Sequence, residues 1–194
     1  AEETYGKIAP TGTVDGTRKW APVPLLTENA LIVHADPKGR QPSWSRYYSG
    51  LSQSRQRRES YALDVGLSVL GGGMTSRLYQ ALVEDEQVAI DVNTYAWTTL
   101  HDEGPAIISA SPVDGVSLDE LDTAVMAKVR EVLAEGFTDA EVVRARNSLA
   151  AQAIYGRDSQ SAMANTFGST LALGGTADDI LNYPDEVRSI TTEE

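Results

Sequence analysis

Cysteine is absent from the 194 residues, which excludes a disulfide framework and any thiolate-bound zinc or iron–sulfur centre. Histidine is nearly absent: His34 and His101 lie far apart, so no His-x-x-x-His or HxxEH pair can be written, and neither is expected to ligate a metal. Basic residues are scarce. Lys and Arg total 16 against 28 Asp and Glu, and the formal net charge of −12 argues against a nucleic-acid footprint, which needs a basic stripe. No apolar run approaches the roughly 18 residues of a membrane span, and no Gly-x-Ser-x-Gly nucleophile elbow occurs. Asp85, Glu86, Asp102 and Glu103 are grouped carboxylates, but in so acidic a chain they read as a solvated face rather than a general acid/base pair.

What is present is an ordinary globular composition, 41% hydrophobic, enough for one principal core. The first residues, AEETYGKIAPTG, lack the charged-then-apolar layout of a secretory leader, and both ends read as cut. Gly6 to Gly16 resembles a linker. The final Thr191-Thr192-Glu193-Glu194 has capping-box spacing, so a helix is expected to begin there. Arg18–Pro24 reads as an edge strand or linker, and Asn29–Asp36, alternating Leu31, Val33 and Ala35, as a strand. A second strand is expected over Ser43–Leu51, and a helix from Arg55 to Leu70 that runs into three glycines. After them a shorter helix carries Leu78, Tyr79, Leu82 and Val83, with Thr75 or Ser76 capping it through the hydroxyl.

Val88–Trp97 then alternates, with Val88, Ile90 and Val92 expected inward, and Asp102–Pro105 turns it back into Ala106–Val113 as an antiparallel hairpin. Ser117 with Glu120 and Thr138 with Glu141 predict capping boxes for two helices, the first lined by Leu118, Leu121, Val125, Val129 and Val132 and stopped by Gly136. A third helix is expected over about 161–173, and a short fourth from Thr176 that ends before Pro184. This order predicts an α+β two-layer sandwich, a mainly antiparallel sheet covered on one face by helices.

The stretch LGGGMTSRLY, residues 70–79, admits several readings. Glycine amides at a helix start can cradle a phosphate, but the Walker Lys-Ser/Thr ending is missing, the spacing is not GxGxxG and a helix precedes it where those motifs need a strand. A tight connection between two helices is the plainer reading, with at least one glycine at positive φ.

The longer string LGGGMTSRLYQALVEDEQVAIDVNTYAW, Leu70 to Trp97, resembles the carboxy-terminal, non-zinc half of bacterial pitrilysin/insulinase-type zinc peptidases, the inverted HxxEH family that includes mitochondrial processing peptidase. GKIAP at Gly6–Pro10, ARNSLAAQ at Ala145–Gln152 and Val187–Glu194 extend the similarity over nearly the whole chain. The resemblance implies residues 1–17 as the tail of a preceding domain and a linker, and 18–194 as a non-catalytic domain cut before its last helix. It implies a zinc metalloendopeptidase for the full-length protein, with zinc and the HxxEH motif in the chain's own amino-terminal domain and no metal ligand or catalytic residue in this segment. Its implied partners are that zinc domain, a homologous subunit and an unstructured peptide substrate, with no nucleic acid and no membrane span; the periplasm or cell envelope suits it better than the cytoplasm.

Gly71, Gly72, Gly73, Ser76 and Arg77 are then the candidates to line a substrate chamber or interface. Many non-zinc halves carry an Arg and, seven residues on, a Tyr aimed at the substrate carbonyl; the matching positions here are Val83 and Ile90, which cannot donate a hydrogen bond. Both are expected to face the core. The alternative is a structural core-type subunit without peptidase activity in either half.

Overall fold

The computed structural model describes residues 2–4, 6–9 and 28–194. The chain divides into two units, residues 1–34 and 35–194. In the first, the described part holds a turn closed by the Gly6 amide on the Glu2 carbonyl (3.1 Å). Most of the Gly6–Gly16 linker and all of the Arg18–Pro24 segment lie outside the described residues. Asn29–Asp36 does not form the expected strand, and Leu31, Ile32 and Val33 are exposed. Alternation supplies a strand face but not a partner; among the described residues no ladder takes up the N–H and C=O groups of this segment.

Residues 35–194 form the α+β domain. Its elements are β1 (Trp44–Ser49), α1 (Arg57–Gly71), α2 (Arg77–Tyr79) continued by a π-helical turn (Gln80–Asp85), β2 (Ala89–Ala96), β3 (Pro105–Pro112), α3 (Leu118–Glu135), α4 (Asp139–Gly156), α5 (Gln160–Ala172) and α6 (Ala177–Arg188). The described sheet is antiparallel with order β1-β3-β2, and its register aligns Trp44, Ala110 and Val92, then Arg46, Ile108 and Thr94, on one face. Helices pack on that face. The Thr94 hydroxyl donates to the Leu67 carbonyl of α1 at 2.6 Å, and from β1 the Trp44 indole and Arg46 guanidinium both donate to Asp122 of α3 at 2.9 Å. The reverse face carries Tyr47, Ile107 and Tyr95.

The main core joins Leu70, Leu78 and Leu82 to Val92, Ile108 and the α3 stripe Leu121, Val125, Val129 and Val132, all buried, whereas Leu118, expected in the same stripe, is exposed in the first turn of α3. Burying such side chains contributes about 1.5–3 kcal/mol each. Both expected capping boxes form: Ser117 accepts from the Glu120 amide and Thr138 from the Glu141 amide, each with the reciprocal carboxylate contact. Gly136, at φ 75°, stops α3 as expected.

A second core gathers Tyr61, Val65, Val69, Val142, Val187 and Ile190, and it explains one departure from the sequence pattern. α6 does not end before Pro184 but runs through it to Arg188. Pro184 and Val187 are both buried, so the packing of this turn offsets the hydrogen bond that proline removes. Thr176 caps α6 with Asp179 in a third capping box.

Candidate functional site

α1 ends in the glycines, and each has a distinct task. Gly71 closes against the sheet: a Cβ there would stand 2.5 Å from Thr94 Cγ2, so only glycine lets helix and strand come this near. The Gly72 amide donates to the Ser68 carbonyl at 3.1 Å, and Gly73 turns the chain out of the helix at φ 115°. The expected positive-φ connection between two helices is therefore present. Ser76, however, does not cap α2 through its hydroxyl. Oγ donates instead to the Gly73 carbonyl (2.6 Å), because the tight turn brings that acceptor closer than any α2 amide. Gln80 donates to the Met74 carbonyl at 2.6 Å, so the loop is tied at both ends while the Met74 side chain is 71% exposed.

Arg77 has its charge spent inside the domain. Its guanidinium grips Glu141 of α4 through two nitrogens, Nη2 at 3.0 Å, and Glu135 of α3 through Nη1 at 2.9 Å. Glu141 simultaneously accepts from the Thr138 amide (2.9 Å) and hydroxyl (2.8 Å). The hydrogen bond from Arg77 leads in lowering the Glu141 carboxyl to about 2, helped by Thr138, and the two glutamates raise the guanidinium still further above its usual range. Arg77 thus locks the glycine connection to the α3–α4 corner.

Two irregularities occur at the positions where the resemblance places Arg and Tyr. Past α2 the Glu86 amide bonds the Ala81 carbonyl five residues back (2.8 Å), widening the helix around half-buried Val83, and Gln87 takes a left-handed φ of 52°. In β2 a register shift between Ala89 and Asp91 changes the expected face at Ile90, while Val92 is inward and Asn93 and Tyr95 are outward as the alternation predicts. Ala89 takes the inward place and Ile90 is 51% exposed, because the extra residue of a bulge moves a side chain to the other face. Val83 packs at the edge of the main core, in keeping with its apolar stripe.

Among the described residues no group of three or more His, Cys, Asp or Glu could hold a metal, so the residues of this domain do not fit one. His34 is exposed. His101 sits in the β2–β3 connection with Nδ1 3.5 Å from Asp102, which also pairs with Arg55. Ser52 and Ser54 donate to the Leu100 and His101 carbonyls, so this corner is a hydrogen-bonded clasp. Asp85, Glu86 and Glu103 are exposed. No described helix is long and apolar enough to cross a membrane.

A three-stranded antiparallel sheet covered by helices, with α1 closed against it through Gly71, defines the class of the domain as an α+β sandwich. Residues 1–149 match the peptidase M16 inactive domain, and the chain belongs to that family. It is 30% identical over 159 residues to the uncharacterized zinc protease SCO5738 of Streptomyces coelicolor, covering 74% of this chain and 32% of that protein, so it spans about a third of that relative's length.

Among solved structures, a protease from Helicobacter pylori superimposes with a TM-score of 0.72 at 21% identity, over 83% of this chain and 38% of that one. An inactive peptidase domain from Bordetella parapertussis does so with a TM-score of 0.70 at 20% identity, over 83% of this chain and 85% of that one. A chain of complex III from Candida albicans shares the fold more loosely, with a TM-score of 0.58 at 16% identity, over 78% of this chain and 37% of that one.

Proposed function

We propose that this chain is the non-catalytic carboxy-terminal domain of a zinc metallopeptidase subunit, forming chamber wall and subunit interface for the hydrolysis of unstructured peptides. Zinc and the water-activating Glu then belong to a preceding HxxEH domain of the same polypeptide, and a homologous subunit supplies the Arg/Tyr pair. The observation that carries this reading is the combination of inactive-domain membership with apolar Val83 and Ile90 at the pair's positions. Neither side chain has an N–H or O–H to offer a developing oxyanion. Gly71–Gly73, Ser76 and Arg77 serve as the rigid base from which the Met74 loop is presented to the chamber or partner.

A purified sample of this chain, dialysed against zinc and then buffer, should hold well under one zinc and leave a fluorogenic unstructured peptide intact. The full-length subunit mixed with its homologous partner should cleave that peptide in a chelator-sensitive way. One tightly held zinc per copy of this domain would overturn the assignment. The fold shared with a complex III chain favours a second reading, a core-type subunit inactive in both halves. Failure of the full-length pair to cleave any peptide, with zinc present, would select it.

A further inference from the structure

α5 is a helix of 13 residues, none of them buried. A helix that short draws most of its stability from packing, yet α5, which touches α6, walls a cleft of about 490 Å³ lined also by residues of α1 and α4. That volume lies in the range of sites that enclose a small ligand, about 300–1,000 Å³. The cleft has an aromatic floor in half-buried Tyr183, backed by buried Tyr61 with the two rings edge to face at 5.0 Å, and Met163 of α5 also lines it. Its charged residues are Arg57, Arg157 and Asp179, so its lining carries an excess of one positive charge in a chain of net charge −12. Arg57 is neutralised by Asp179 at 2.7 Å. Arg157, exposed at the cleft's rim, is not: its Nη2 donates to the Leu181 carbonyl at 2.8 Å, and no carboxylate among the described residues pairs with it.

We infer that the cleft between α5 and the rest of the helical layer holds the carboxy-terminal end of an unstructured peptide, its α-carboxylate on Arg157 and an apolar side chain against Tyr61 and Tyr183. A single unpaired guanidinium, anchored through one nitrogen, matches a monoanionic carboxylate in bidentate geometry. The aromatic floor suits an apolar last residue, and the excess positive charge rejects a basic one. The inference rests on the peptidase reading. It places peptide binding away from the glycine connection.

The test is calorimetric titration of the 194-residue chain with acetyl-Ala-Ala-Leu as free acid, the same tripeptide as carboxy-terminal amide, and 4-methylpentanoate. The free acid should bind at least about tenfold more tightly than the amide, and hydrogen exchange of α5 should slow when it does. Arg157→Gln should erase the difference between acid and amide, and Ala162→Trp, an exposed position facing the cleft, should abolish binding of both while leaving the melting temperature in place. Equal binding of acid and amide, no binding of either, or acid binding unchanged in Arg157→Gln overturns the site. Tight binding of 4-methylpentanoate on a par with the tripeptide overturns its assignment to peptides. None of these titrations needs zinc or catalysis, so they fail or succeed apart from the hydrolysis experiment above.

Discussion

Replacing Arg77 with Met should cost the domain about 2 kcal/mol at pH 7, and the cost should fade in acid. Arg77 makes three hydrogen bonds to two carboxylates, with its side chain 28% exposed, Glu141 15% and Glu135 53%. The Glu135 contact is screened by water and contributes little. The paired contact to Glu141 is the substantial one, charge-assisted and partly buried, of a kind that contributes roughly 1.5–3 kcal/mol. Glu141 keeps Thr138 as a donor when Arg77 is gone, so its carboxylate is not left bare and the loss stays near the middle of that range.

The sign with pH follows from the carboxyl held down at about 2 in the fold. Its unfolded value is near 4.3. Its contribution is therefore full above about pH 4.5 and disappears as pH falls through about 2. Urea unfolding at pH 7 should show a lower midpoint for Arg77→Met with unchanged slope, and thermal melting a drop of about 4–8 °C. Repeated in acid, the gap should be roughly halved at about pH 3 and nearly closed at about pH 2. An unchanged midpoint at pH 7, or a gap that persists undiminished in acid, would refute the assignment of Arg77 as the tie between the glycine connection and the α3–α4 corner.

Gly71→Ala should destabilise by about 2 kcal/mol, because the added methyl meets a β-branched Thr94 pinned to the Leu67 carbonyl; a loss under about 0.5 kcal/mol in urea would show that helix and strand can part freely. Ile90→Tyr at the exposed bulge should stay within about 0.5 kcal/mol of the parent, whereas Val83→Arg, at the edge of the main core, should cost about 1–2 kcal/mol; the opposite order would place the bulge elsewhere. Asp64 is held up at about 7 by burial, above its unfolded value near 3.9, so its effect on stability is nil below about pH 4 and unfavourable as pH rises through 7. Asp64→Asn should accordingly gain about 1–2 kcal/mol at pH 8 and nothing at pH 4; an equal gain at both would discard burial as the cause.

What the sequence by itself determined is what lies within a few residues of itself. The capping boxes at Ser117 and Thr138, the stripe from Leu121 to Val132 and the stop at Gly136 formed as their spacing requires, since a hydroxyl, an amide and a carboxylate three residues apart need no distant partner. The glycines announced a tight connection and the string around them announced a family, both legible without coordinates. Only the tertiary structure decided where distant groups compete.

Asn29–Asp36 has the alternation of a strand but, among the described residues, no ladder partner; Ile90 reads inward until a bulge turns it out. α6 passes Pro184 because Val187 and Ile190 are buried against α1 and α4, a packing gain no local rule contains. Arg77 could have faced a chamber on sequence grounds alone. Its partners Glu135 and Glu141 arrive from 58 and 64 residues away, and so does the reason that its charge is not free. The cleft behind α5 has no sequence signature at all, because an unfilled space between helices is a property of how four of them meet.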